Sequence, residues 1–397
     1  MTTSETTNTT SNVPKSTLKN GGVKMPKIPA KNKKHFKSVI DLGNHWVKAY
    51  IEGYELLREP SWYARCLSNT SNKLPGHVRY VDGVRSDLVG QCWLVGNQAV
   101  RSGSSDLMRL VEDYTGKSSL WLEYFLGTLA HLPQVNSEMN LDVTVTCNDV
   151  KRHSPIIRKN EGTHRVELCG VPCTVNIVVK AILPEGFAAL KSQKLDGAVT
   201  ICDIGGGNTS ISRFFNSEPV GEVAVKDFGA EYLIEKIVCN SDLKALIKQA
   251  PDKDVINRSI EVGVKFKKSE SGDALGQRNG ASLITTTHRG DNTDQQNKGL
   301  PHFSSHSPGD KIPFLAYGDS AMNFYKVYEV ELQDFINCRL REVIKQLEQY
   351  KLGGDQILII GGGSKLPLLN AALKKKGFLI SDNGAFDNLT GLISEVG

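Results

Sequence analysis

Short apolar runs of strand character alternate along this chain with stretches whose apolar positions recur at helical spacing. SVIDLG, beginning at Ser38, and WVKAYIEG after it read as a β-hairpin with its turn at Gly43-Asn44-His45. VRYVDG (Val78 to Gly83) and QCWLVG (Gln91 to Gly96) add short strands. Leu122, Phe125, Leu126 and Leu129 fall on one helical face and predict a helix over 119–132. LDVTVTC (Leu141 to Cys147) has the continuous apolar character of a buried strand. A basic connector containing Lys151, Arg152, Arg158 and Lys159 leads to a hairpin, HRVELCG and CTVNIVVKAI. Pro184-Glu185-Gly186 then opens a short helix, EGFAAL.

The second half repeats the theme. GAVTICDIGGG is a strand entering a turn, TSISRFF returns, and EPVGEVAV reads as a third strand. Helical patterns follow in AEYLIEKIV and VINRSIEVGVKF. From Lys268 to Lys311 the chain is rich in Gly, Ser, Asn, Gln, His and Thr and reads as a long mobile loop, pinned at SLITTT. A long helix is predicted from about Ser320 to Lys351, and QILIIGGG is the last strong strand. Two strand–hairpin–strand–helix units make an internal pseudo-repeat.

Three glycine-centred segments punctuate this pattern: DLGNHWVK from Asp41, DIGGGNTS from Asp203 and ILIIGGGSKLP from Ile357. Alone, a DxG turn is an ordinary hairpin and a GGG run a flexible joint. Three in order, each after a strand and about 150 residues apart, point instead to a nucleotide held between two halves of the chain. Asp41 and Asp203, facing each other across a cleft, suit a hydrated magnesium ion, which keeps several waters and takes few direct protein ligands. Bare glycines let backbone N–H groups approach phosphate oxygens. Gly205-Gly206-Gly207 with Asn208 offers several such donors, and Lys48 on the returning strand offers a point charge. The patterns G-x-x-x-x-G-K-[ST] and G-x-G-x-x-G are absent, so another device holds the nucleotide.

Composition sets the limits. A chain of 397 residues suits two domains rather than one core. No apolar run of about 18 residues occurs, and the N-terminus has no apolar h-region, which predicts a cytoplasmic protein. Eight scattered cysteines without C-x-x-C spacing read as reduced thiols. The net charge of +5 is unevenly spread: from Met1 to Ser38 eight lysines face only Glu5, so a near-neutral body wears a basic tail. Its composition predicts disorder, and it suits DNA, an anionic membrane surface or a passive leader.

The three segments resemble the phosphate-1, phosphate-2 and adenosine motifs of the actin-like ATPase superfamily. Within it the chain is most similar to the ParM/StbA plasmid-segregation actins. That likeness is carried by DLG…K, WLVGNQA (Trp93 to Ala99), LPEGFAAL (Leu183 to Leu190) and GFLISDNGAFDNLTGL (Gly377 to Leu392), and it covers about residues 38–392. It implies two related α/β domains, each with a five-stranded mixed sheet and a smaller subdomain, around a nucleotide cleft. The implied boundaries are a disordered tail over 1–37, domain I over 38–184 with its subdomain at about 55–115, and domain II over 185–365. The second subdomain would span about 229–318 with the mobile loop 268–311, and 366–397 would return to domain I. The resemblance implies ATP and Mg2+ as cofactors, with Asp41 and Asp203 positioning the metal. Gly43, Asn44, Lys48, Gly205, Gly206, Gly207 and Asn208 would contact phosphates, and Gly361, Gly362 and Gly363 would back the adenosine. Glu185 falls where the family orients the attacking water; a carboxylate at a strand end suits that task, as it suits a helix start. Asn44-His45-Trp46 replaces the family's small hydroxyl-bearing residues, which favours backbone contacts in that turn. Of the helix VINRSIEVGVKF, Glu261 is the residue picked for the adenine side.

The implied activity is Mg-dependent ATP hydrolysis coupled to polymerisation, most simply in DNA segregation through a DNA-binding adaptor protein. A membrane-associated filament for cell shape is the alternative, and a small-molecule kinase of the same superfamily the second.

Overall fold

The apolar run after His35 and the run after Trp46 are joined by a turn of three residues, too short for anything but an antiparallel return. The computed structural model shows that hairpin, and it describes residues 35–66, 73–110, 116–268 and 311–396. The basic tail before residue 35 and the stretch 269–310, SLITTT included, lie outside the described residues. Strand structure starts at His35, three residues earlier than the sequence pattern placed it.

In chain order the first ten strands are β1 (His35–Leu42), β2 (Trp46–Ile51), β3 (Leu57–Pro60), β4 (Trp62–Arg65), β5 (His77–Gly83), β6 (Cys92–Val95), β7 (Leu107–Arg109), β8 (Glu138–Cys147), β9 (Gly162–Leu168) and β10 (Val171–Pro184). They form one sheet in the order β3-β2-β1-β8-β10-β9-β5-β6-β4-β7. Its centre, β1-β8-β10, is parallel, and β2 and β3 add antiparallel edges. A five-stranded sheet was anticipated for the first half, and these five strands are followed by more; the ladder runs on to ten because β9, the antiparallel hairpin partner of β10, also pairs with β5. A register shift between Val179 and Ala181 marks where β10 changes character.

The second sheet contains β11 (Ala198–Ile204), β12 (Thr209–Phe215), β13 (Glu218–Pro219) and β14 (Ala224–Lys226), then, beyond the ribbon β15 (Lys265–Lys268) and β16 (Lys311–Phe314), β17 (Gln356–Ile360) and β18 (Leu379–Ile380). Its order is β13-β12-β11-β17-β18, with β14 also on β12. The pseudo-repeat is visible in register: Asp41 lies opposite Lys48 in the first hairpin, and Asp203 opposite Ser210 in the second.

Each sheet has its own core. Trp93, Trp121, Phe125 and Leu126 pack with β1, β8 and β10 in the first. Ile204, Leu233, Ile237, Tyr328, Phe335 and Ile359 anchor the second. Two helices separate the sheets. Phe187–Ser192 packs Ala189 and Leu190 on β11 and β17, while Asp387–Val396 sets Leu389 and Leu392 against Val39 of β1.

Four elements differ from the pattern reading. The basic connector is a helix, Val150–Arg158: Asp149 caps it by accepting the Arg152 amide at 2.9 Å, and Ile157 and His153 supply a buried face among the charges. EPVGEVAV is broken into β13 and β14 by Gly221, whose φ of +75° turns the chain. The helix over VINRSIEVGVKF stops at Val262 because Gly263 takes φ +87°, and KFKK becomes β15. The long helix begins at Tyr325 rather than about Ser320, since Asn323 binds the Leu315 and Tyr325 amides, and it widens to π geometry over Phe335–Leu340. All eight cysteines are free thiols, as anticipated. Among the described residues no helix is long and apolar enough to cross a membrane.

Candidate functional site

Strands β1 and β11 each carry an aspartate one residue before their last, and both ends open on one cleft of about 830 Å3. Asp41, Gly43, Asn44, Lys48, Glu185, Asp203, Gly205, Gly206, Asn208, Gly361, Gly362 and Gly363 all line it. Of the site residues expected from the sequence, Gly207 alone is outside the lining; a Cβ there would meet Asn44 at 3.0 Å, where the two turns touch. Gly206 stands in the same relation to His45. A side chain at either position would press on the side chain of the facing turn.

The turns spend some of their donors internally. The Gly43 amide binds the Trp46 carbonyl at 3.0 Å, the Gly205 amide binds Asn208 at 2.9 Å, and the Gly361 amide binds Gly384 at 3.2 Å. These three glycines therefore contribute room rather than N–H groups. Gly361, at φ +85°, has no space for a Cβ, which would collide with Asp203 Oδ1. The Thr209 hydroxyl is committed to the Phe228 carbonyl at 2.8 Å.

Charge is distributed unevenly between the two aspartates. Asp41, buried, receives the Lys48 ammonium at 2.7 Å and the Thr146 hydroxyl at 3.3 Å. Asp203 has Ser210 where Asp41 has Lys48, so its hairpin brings no cation. Burial first, then the neighbouring Glu185 and Asp41 carboxylates, push Asp203 up to about 7, against the pull of Lys48. Its side-chain partner is Asn388, which donates Nδ2–H to Oδ2 at 3.0 Å.

Glu185 follows the end of β10, its amide bound to the Cys147 carbonyl at 2.9 Å, and its side chain is buried at the cleft floor. Gly186 next to it takes φ +91° to start the helix Phe187–Ser192, and its amide donates to Asn388 Oδ1 at 2.8 Å. One amide side chain from the last helix thus ties Asp203 to the backbone beside Glu185.

Sequence reasoning missed Asn388, together with Arg58, Arg109, Glu231 and Lys253, which also serve or border the cleft. Nothing local marks them, because their partners are supplied by distant chain segments. The helix Lys253–Val262 does face the cleft, with Glu261 among its lining residues. On the opposite wall the Arg58 guanidinium stacks 3.9 Å from the Trp46 ring centroid.

No protein-family model and no curated protein matches the chain. Solved structures do. Ta0583, an archaeal actin homolog, superposes with a TM-score of 0.59 at 14% identity, covering 91% of this chain and 98% of that one. Bacillus thuringiensis ParM with AMPPNP gives 0.58 at 15% identity over 91% and 98% of the two chains. The apo psk41 ParM protein gives 0.53 at 15% identity over 92% and 99%. The chain has the actin-like fold of the ParM type.

Proposed function

We propose that this protein is an ATPase that assembles with itself into filaments, bound nucleotide governing the assembly. The observation that carries this reading is the convergence of three glycine turns on one cleft around Asp41, Glu185, Asp203 and Lys48. Bacillus thuringiensis ParM, which shares the fold, was crystallised with ADP, AMPPNP and ATP, which supports an adenine nucleotide as ligand here.

The donor set suits magnesium. Asp41, Glu185 and Asp203 share the cleft with Lys48, and among the described residues no group of three or more His, Cys, Asp or Glu side chains is arranged as a dedicated metal cage. That is the environment of an ion carried in by phosphates and held by one or two carboxylates through its waters. Asp41 and Asp203 would hold it. When bound, such an ion neutralises charge developing on the phosphate oxygens.

The chain's own groups do the rest. Lys48 supplies a positive charge on the phosphate side, and free amides of the turns at Asn44 and Gly206 to Asn208 donate to phosphate oxygens. Gly361, Gly362 and Gly363 give the nucleoside a wall without side chains. Glu185 accepts a hydrogen bond from the attacking water and keeps it in line with the terminal phosphate. Hydrolysis then weakens the contacts between subunits that ATP favours.

DNA segregation through an adaptor protein is the cellular role we assign, since the fold extends over nearly the whole of two ParM chains. The basic tail would add contact with DNA or anionic lipid. Light scattering and phosphate release, followed together after mixing protein with ATP and magnesium, test the proposal. Scattering should rise with nucleotide and decay as phosphate appears. Glu185→Ala should still assemble but release phosphate about a hundredfold more slowly. Unchanged release in that variant refutes the role of Glu185, and scattering indifferent to ATP refutes the function.

A further inference from the structure

A second charged cluster crosses the same cleft, apart from the groups assigned to the phosphates and the metal. Arg109 ends β7 in the first sheet; His45 lies in the turn between β1 and β2. Glu231 opens the helix Ala230–Cys239 and Lys253 opens Lys253–Val262, both packed in the core of the second sheet. Arg109 Nη1 donates to Glu231 Oε1 at 2.6 Å, and Nη2 donates to His45 Nδ1 at 2.7 Å. His45 Nδ1 stands 3.4 Å from Glu231 Oε2, and the Lys253 ammonium binds Glu231 Oε1. Two residues from each side of the cleft therefore meet in one network.

The network is largely withdrawn from water. The side chains of Glu231 and Arg109 are 12% and 16% exposed, and the guanidinium also lies 5.1 Å from the Trp62 ring centroid. Burial works against the Glu231 charge, yet the Lys253 ammonium and the Arg109 guanidinium hold its carboxyl far below the ordinary carboxylate range. A charge pair of this kind is easily unbalanced: removing one partner leaves the other desolvated and unpaired. The nearest comparable contact across the cleft, Arg58 to Glu261 at 3.9 Å, is exposed and contributes little. The helix carrying Glu231 is moreover tied to the second phosphate turn, because the Ala230 and Glu231 amides donate to the Gly205 and Gly206 carbonyls at 2.9 and 2.8 Å. His45 in turn abuts Gly206. Opening the cleft must separate Arg109 and His45 from Glu231 and Lys253, and must shift both phosphate turns with them.

We propose that Arg109, His45, Glu231 and Lys253 form a latch between the two halves of the molecule, which holds the cleft shut and sets how fast its contents exchange. The closure itself follows from the network alone; only the consequence for nucleotide release rests on the function proposed above.

The two parts separate experimentally. Amide hydrogen exchange of the ligand-free full-length protein reads the latch without any nucleotide. In Arg109→Ala the amides of Gly43, Gly205, Ala230 and Glu231 should exchange about tenfold faster, equivalent to about 1.4 kcal/mol of opening. Glu231→Gln, which keeps the shape and one acceptor, should accelerate the same amides less. The buried amides of β8 should not change in either variant. Equal exchange in wild type and both variants overturns the latch, as does acceleration of β8 by the same factor in both, which would mean general destabilisation. Release of a fluorescent ATP analogue, measured by stopped flow, should quicken by the same factor in Arg109→Ala. Unaltered release beside faster exchange overturns the gating role. Faster exchange in a protein whose wild type takes up no analogue leaves the latch standing and removes the ATPase reading.

Discussion

Asp41 and Asp203 occupy equivalent hairpin positions with opposite electrostatic fates, because seven residues on from each the chain places Lys48 in one case and Ser210 in the other. Both aspartates were legible in the sequence: a carboxylate at a strand end before a glycine turn announces itself. The asymmetry needed the fold, since Glu185 and Asn388 reach Asp203 from segments remote in sequence. It has a thermodynamic consequence. An acid whose folded-state pKa lies above its unfolded value loses its proton first in the unfolded chain, so stability falls as pH rises from about 4 through about 7. Asp203→Asn should remove that fall. In ligand-free protein the variant should melt near wild type at pH 4 and be the more stable at pH 8, by on the order of 4 kcal/mol. Melting curves that stay parallel across this pH range would contradict the assignment.

Elements were read correctly where period and turn chemistry agreed, as in the β1–β2 and β11–β12 hairpins. They were misread where a cap or a single glycine decided. Asp149 makes a helix of a segment whose charge suggested a linker, and Gly263 ends a helix that apolar spacing would have continued. The crossing of Phe187–Ser192 and Asp387–Val396 was beyond such reading, although its key residue is a glycine. Gly391 lies so close to the Ala188 carbonyl that a Cβ would overlap it. Gly391→Val should therefore cost about 1–3 kcal/mol by overpacking, measured by urea unfolding. Because Asn388 lies one turn earlier on the same helix, the substitution should also slow the ATP hydrolysis proposed above. Wild-type stability and turnover would show that the crossing has slack that the geometry denies.

At the scale of the whole molecule, the two sheets present equivalent strand ends to one cleft, and the helices between them carry Glu185's neighbour Gly186 and Asn388. The pseudo-repeat was visible as two aspartate turns about 160 residues apart, and the third glycine segment lines the same cleft. What composition and spacing could not convey is which charges meet across the gap, because that depends on how β7 is carried round by nine other strands to face the helix Ala230–Cys239. The proposed function requires a nucleoside triphosphate to bind between the halves. Titration calorimetry of the full-length protein with ATP and magnesium tests this most directly. It should give a saturable one-site heat that is lost in Asp41→Ala, and a wild-type titration without heat of binding would contradict it.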